Sequence, residues 1–339
     1  VKPAVELRSL RRRQLNAMLL GSAIPWTAWA TAPAAAPRYE VFDFDWVDTS
    51  RARPVPSRLY WPAGPAPGAG VPLVVFSHGI GGSRQGYSYL GKHWSSHGVA
   101  SLHVQHVGSD ASLWRGNPFG VVGRLQAAAR EGEAVARAGD LRFALDRMLS
   151  DATSGLGAAV DLRRLVAAGH SYGANTTLLA VGAQVIRQGA LVDCRDPRFA
   201  AAIVISAPPF YGEADLAAVL GPVAVPTVHI TATDDVIEIP GYRSAAADRL
   251  AVFDAVGDPR KLLAVFRGGS HSIFTDRFFT GGTELNPKVK AATAELSLAF
   301  LDFAFRGDAQ GLRRWRAAWQ PILAATPGSG FPAQETEPG

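Results

Sequence analysis

The chain has one cysteine, Cys194, in 339 residues. A lone thiol closes no internal disulfide, and cysteine cannot supply a zinc framework either. Charge is also sparse: 19% of residues are charged against 47% hydrophobic, the balance of an ordinary globular chain, long enough for one sizeable core. No internal repeat and no interdomain linker interrupts it, so one large α/β domain is the simplest organisation. A long apolar run is missing too. The one candidate, Ala17 to Ala30, is shorter than the ~20 residues a membrane span needs and is broken by Pro25.

That run does have a context. It follows an arginine cluster and precedes small residues and proline, in "LRRRQLNAMLLGSAIPWTAWATAPAAAP", the layout of a secretory signal. Arg12-Arg13-Gln14-Leu15 resembles a twin-arginine pair. The expectation is a signal peptide over residues 1–34, cleaved after Ala32 or Ala34, and a periplasmic or secreted product. Lys2, Arg8, Arg11, Arg12 and Arg13 against Glu6 supply +4 of the formal +5, which leaves +1 on the remainder. The basic balance therefore gives no case for a nucleic-acid partner, and none for a membrane span once the signal is gone.

Beyond the signal, "YEVFDFDW" and "RPVPSRLYW" alternate apolar with polar residues, as half-buried antiparallel strands do. The runs at 72–78, 99–106, 161–168, 201–207, 226–232 and 261–267 are more continuously apolar, as strands covered on both faces are. They alternate with helical patterns expected at 87–97, 125–149, 174–189, 242–256 and 287–305. That order predicts an α/β domain over residues 35–325, with a mostly parallel sheet, helices on both faces and an N-terminal antiparallel strand pair. The Pro/Gly-rich residues 326–339 read as a flexible tail. The stretch from Gly108 to Gly123 follows a strand's C-terminal end, where ligands lie in such sheets, and fits either a cap over a site or a packed loop.

Between the strand at 161–168 and the next helix stands "GHSYG", Gly169 to Gly173. This G-x-S-x-G in a strand–turn–helix context makes Ser171 a candidate nucleophile. A serine hydroxyl needs a base, and His271, in the late glycine-rich loop "GGSHSIF", is the candidate. His170 is adjacent to the serine and points elsewhere, a packed or hydrogen-bonded neighbour. The orienting acid falls on Asp234 or Asp235 in "TATDD", in the chain order Ser, Asp, His. The backbone N–H groups of Ile80, in "SHGIGGS", and of Tyr172 are candidate oxyanion donors. Trp114, Phe210 and Tyr211 either wall an acyl or aryl pocket or pack in the core. His93 and His97 have the i, i+4 spacing of zinc ligands, but Trp94 replaces the glutamate of H-E-x-x-H, so no metal is expected there.

In order, "SHGIGGS", "HVGSD", "GHSYG", "TATDD" and "GGSHSIF" resemble the α/β-hydrolase superfamily, specifically bacterial predicted dienelactone hydrolases related to platelet-activating-factor acetylhydrolases. The likeness runs from about Tyr39 to Asp308. It implies a serine esterase without cofactor, with Ser171 as nucleophile, His271 as base, and Ile80 and Tyr172 as oxyanion donors. The substrate would be a small-molecule or polymeric carboxylic ester. True dienelactone hydrolases use cysteine where this chain has Ser171. The plasma acetylhydrolases take their acid after the preceding strand, where this chain reads "ISAPPFY" without a carboxylate. The layout usual in the fold puts the acid three positions beyond the small residue that closes the strand. With Ala232 closing it, Asp235 is the expected acid. A lipid or polyester hydrolase, and a non-catalytic binding module on the same fold, are the alternatives.

Overall fold

A computed structural model describes residues 38–332 except 65–67, 69, 152–154, 188, 240, 278, 279 and 281. The expected signal lies outside the described residues. The strands are β1 Tyr39–Asp48, β2 Arg53–Pro62, β3 Val71–Ser77, β4 Ala100–Val104, β5 Val160–His170, β6 Gln184–Arg187, β7 Ala190–Asp193, β8 Phe199–Ile205, β9 Thr227–Asp234, β10 Ile237–Ile239, β11 Tyr242–Ser244 and β12 Lys261–Ser270. The helices are α1 Ser88–Ser96, α2 Val121–Ala128, α3 Glu131–Ser150, α4 Tyr172–Val181, α5 Leu216–Leu220, α6 Ala246–Ala255, α7 Gly282–Arg306 and α8 Gln310–Trp319. Eight strands form one sheet in the order β1-β2-β4-β3-β5-β8-β9-β12. β1 pairs antiparallel with β2, and β2 with β4; the remaining pairs are parallel.

Period-two alternation sends neighbouring apolar residues to opposite faces, and both faces are covered. Leu73, Val75, Leu165 and Ala167 pack with Leu141 and Leu145 of α3 and Leu178 of α4. Val74, Phe76, Val166 and Ala168 face the other way, onto Leu90 and Trp94 of α1, Phe300 of α7 and Trp315 of α8. This double coverage is why the inner strands read as unbroken apolar runs.

Four expectations need correction. The helix expected over 174–189 ends at Val181: Gly182 takes φ +126° and the Ala183 N–H returns to the Leu178 carbonyl at 2.8 Å, a Schellman-type stop. Val185 and Ile186 then belong to the β6–β7 hairpin. The pattern over 125–149 is two helices, broken between Ala128 and Glu131, with Glu131 and Glu133 in the first turn of the second. Residues 242–244 are a strand paired with β10, so the helix expected from 242 starts at Ala246. The described part of the expected tail is packed: the Leu263 N–H bonds the Ser329 carbonyl, and Phe331 stacks on Trp315 with ring centroids 5.6 Å apart.

Candidate active site

β5 ends at His170, and the chain turns through Ser171 at φ +56°, ψ −126° into α4. A left-handed φ is costly for a residue with a Cβ and persists only where surroundings enforce it. Here they do. A Cβ on Gly169 would stand 2.2 Å from the Gly173 carbonyl oxygen, and one on Gly173 would stand 2.0 Å from that of Ser77. Two glycines are thus needed because the strand, the turn and β3 cross backbone to backbone.

Three loops at the C-terminal edge of the sheet meet at this turn. Ser171 Oγ lies 2.7 Å from His271 Nε2, and His271 Nδ1 lies 2.8 Å from Asp235 Oδ1. Asp235 is fully buried and accepts further hydrogen bonds from Thr231 Oγ1 at 2.8 Å and Ser206 Oγ at 2.5 Å. Arg249, itself buried, reaches it at 3.3 Å. Burial alone would raise the Asp235 carboxyl, but His271, Arg249 and the Ser206 hydroxyl outweigh it and hold the group well below the usual carboxylate range. An ionised Asp235 fixes the proton of His271 on Nδ1 and leaves Nε2 free to accept from Ser171. Asp234 is exposed and accepts from its neighbour Thr233 Oγ1.

Ser206 was invisible in the sequence. It directly follows β8, takes φ +53°, and puts its Oγ 2.7 Å from His271 Nδ1 as well as on Asp235. The only signal was a serine closing an apolar run.

His170 is hydrogen-bonded away from the serine. Its Nε2–H donates to the His271 carbonyl at 3.0 Å, so Nδ1 accepts from the Tyr87 hydroxyl at 2.9 Å, which itself accepts from the Gly79 N–H at 3.1 Å. Burial pushes His170 down to about 3, and a neutral ring fits this pattern. The chain of bonds ties the loop after β3 to the loop that carries His271.

In the loop after β3, the Gly79, Gly81 and Gly82 amides donate to Tyr87 Oη, the Ser109 carbonyl and the Gly79 carbonyl respectively. The Ile80 and Tyr172 amides donate to no acceptor among the described residues. Beneath them lies Arg137, fully buried, which donates to the His78 carbonyl, to Ser77 Oγ at 3.1 Å, Ser109 Oγ at 2.8 Å and Thr176 Oγ1 at 3.0 Å, and stands 4.5 Å over the Tyr172 ring. Burial draws its guanidinium down to about 10, so it stays charged at neutral pH. Ser77, His106 and Asp140 form a second serine–histidine–aspartate line, at 2.9 and 3.0 Å, but all three are fully buried and belong to the framework under the loop.

The nucleophile candidate opens into a cavity of about 890 Å³. Trp114, Phe210 and Tyr211 line it, and the Trp114 indole N–H bonds the Gly81 carbonyl at 2.8 Å. The Gly108–Gly123 stretch forms short helical turns at Ala111–Trp114 and Pro118–Gly120, the first of which contributes to the cavity wall. The rings of His93 and His97 lie 4.3 Å apart, with His97 Nδ1 bonded to the His93 carbonyl. Among the described residues no group of three or more His, Cys, Asp or Glu side chains could hold a metal ion.

The fold is that of the α/β hydrolases, with a serine, histidine and aspartate joined at the C-terminal edge of its sheet. The family described as platelet-activating factor acetylhydrolase, isoform II, matches residues 54–115. A solved ferulic acid esterase from Streptomyces cinnamoneus superposes with a TM-score of 0.56 at 22% identity, over 82% of this chain and 93% of its own. No curated protein matched by sequence. The family match agrees with the resemblance read from the motifs and supports ester hydrolysis as the class of activity, while the esterase neighbour shows the same fold.

Proposed function

We propose that the chain is an exported serine hydrolase that cleaves short-chain acyl or aryl carboxylic esters through an acyl-enzyme. Ser171 Oγ attacks the ester carbonyl carbon while its proton passes to His271 Nε2. The tetrahedral oxyanion accepts from the Ile80 and Tyr172 amides, where loss of one donor typically costs ~10²–10³ in rate. The carbon–oxygen bond to the alcohol then breaks, and His271 returns the proton to the departing oxygen. Water attacks the acyl-Ser171, its proton again going to His271, and collapse releases the carboxylic acid and frees the serine hydroxyl. Asp235 stays ionised throughout and stabilises the imidazolium.

The observation that carries this reading is the bonded line from Ser171 Oγ through His271 to a buried Asp235, facing an open cavity. Export is supported by the anatomy of the first 34 residues. The aromatic walls, with a ferulic acid esterase of the same fold, favour aryl acids as a second substrate class. The test is turnover of p-nitrophenyl acetate. Ser171→Ala should stay folded by circular dichroism and lose at least ~10³-fold in kcat; retained turnover would refute the role of Ser171.

A further inference from the structure

The cavity is chemically two-sided. In one direction its walls are Leu125, Ala134, Val135, Leu179, Val185 and Val192. Leu179 lies eight residues beyond Ser171 along α4, so this arm reaches ~12 Å from the nucleophile. In the other direction the walls are Ser83, Gly86, Ser272, Thr275, Asp276 and Arg277. This polar side is one continuous surface: the Asp276 N–H bonds the Gly86 carbonyl at 3.0 Å, and Asp276 Oδ2 accepts from the Ser88 N–H at 2.9 Å.

Acid–base geometry says which half of an ester goes where. His271 must hand its proton to the leaving oxygen, so the alcohol lies on the side of the His271 loop. That loop carries the polar arm, which leaves the apolar arm to the acyl group.

Ion pairs stand beside the apolar arm. Arg187 Nε lies 2.7 Å from Glu131 Oε2, and its Nη1 pairs with Glu213. Arg187 and Glu131 line the cavity near apolar residues of the arm, and Glu213 pairs with Arg187 from a position next to Phe210, another lining residue. Arg187 follows Val185, which pairs with Val192 across the hairpin; Glu131 precedes Ala134 and Val135 on α3; and the Glu213 N–H bonds the carbonyl of Phe210. Side-chain exposures of 33% for Arg187 and 47% for Glu131 put the cluster at the surface, where such pairs add little to stability.

We propose, resting on the ester-hydrolase reading, that the substrate is an ester of an apolar acid of limited length with a polar alcohol, and that the Arg187 clasp sets the length limit. The side chain acts as a gate on size and touches no reacting atom. Each acyl methylene that gains an apolar wall is worth a factor of roughly 4 in kcat/KM, so opening the clasp to three more gives well over tenfold.

The experiment measures kcat/KM for p-nitrophenyl butyrate and laurate in the wild type, Arg187→Ala and Arg187→Lys. The laurate-to-butyrate ratio should rise at least tenfold in Arg187→Ala and stay within about threefold of wild type in Arg187→Lys, which keeps the pairs. At fixed butyryl group, the glyceryl ester should be cleaved faster than the hexyl ester. An unchanged ratio in a folded, active Arg187→Ala overturns the clasp, and a preference for the hexyl ester overturns the polar alcohol. Should Arg187→Ala not fold, Glu213→Gln is read by the same ratio. A wild type that cleaves none of these esters refutes the hydrolase reading itself, a separate result.

Discussion

Asp234 and Asp235 are adjacent at the end of β9 and have opposite surroundings. Asp234 is exposed on a neighbouring threonine, while Asp235 is buried under four polar groups. Asp235→Asn should therefore lower kcat by ~10⁴, the size of loss seen when a triad histidine loses its orienting carboxylate. It also leaves the buried Arg249 without its anion, so rates need normalising to the folded fraction. Asp234→Asn should stay within a few-fold of wild type. Paired kinetics with circular dichroism near neutral pH decide it; a dead Asp234→Asn would place the acid one residue earlier. At this scale the order and spacing of motifs pointed to Ser171, His271 and Asp235, and the fold brings those three side chains together. Ser206 and Arg137 stand in no such motif. A serine after an apolar run and an arginine inside a long helix are common, and only the fold shows that one meets His271 and the other lies under the Ile80 loop.

Elements were legible in proportion to how much of their pattern is set by burial. The parallel strands announced themselves because α1, α3, α4 and α7 cover both faces, so almost every position is apolar. Helix ends were not, because local backbone chemistry decides them. Leu178, Leu179, Val185 and Ile186 suit one helical face, yet Gly182 turns left-handed between them and Val185 goes to a hairpin. Similarly, residues 125–149 keep a helical apolar period across a break at Arg130, since Leu125 and Ala128 pack with Leu113 while Ala138 and Leu141 pack on the sheet. Two faces in register by chance look like one. These misread ends matter for function, because the hairpin and the start of α3 supply Arg187 and Glu131 to the proposed acyl arm.

Across the whole molecule, histidine burial governs how the fold answers to acid. His103, His170 and His229 are each pushed down to about 3 by burial, and His78 and His106 are held well below their ordinary value by burial and the Arg137 charge. An unfolded chain protonates these rings near pH 6.5 while the folded one does not, so it binds more protons and stability falls as pH drops below 6.5. Each ring contributes about 1.4 kcal/mol per pH unit between its two pKa values. The melting temperature should fall by at least ~10 °C from pH 7 to pH 5; a flat profile by differential scanning calorimetry would mean these rings are protonated in the fold. At neutral pH, where these rings are neutral, the site itself can be interrogated. A fluorophosphonate traps an activated serine because the serine oxygen bonds to phosphorus and displaces fluoride, and peptide mass mapping then locates the adduct. The account predicts one modification, on Ser171, abolished in Ser171→Ala. Folded protein that stays unlabelled, or carries the label on another residue, would contradict it.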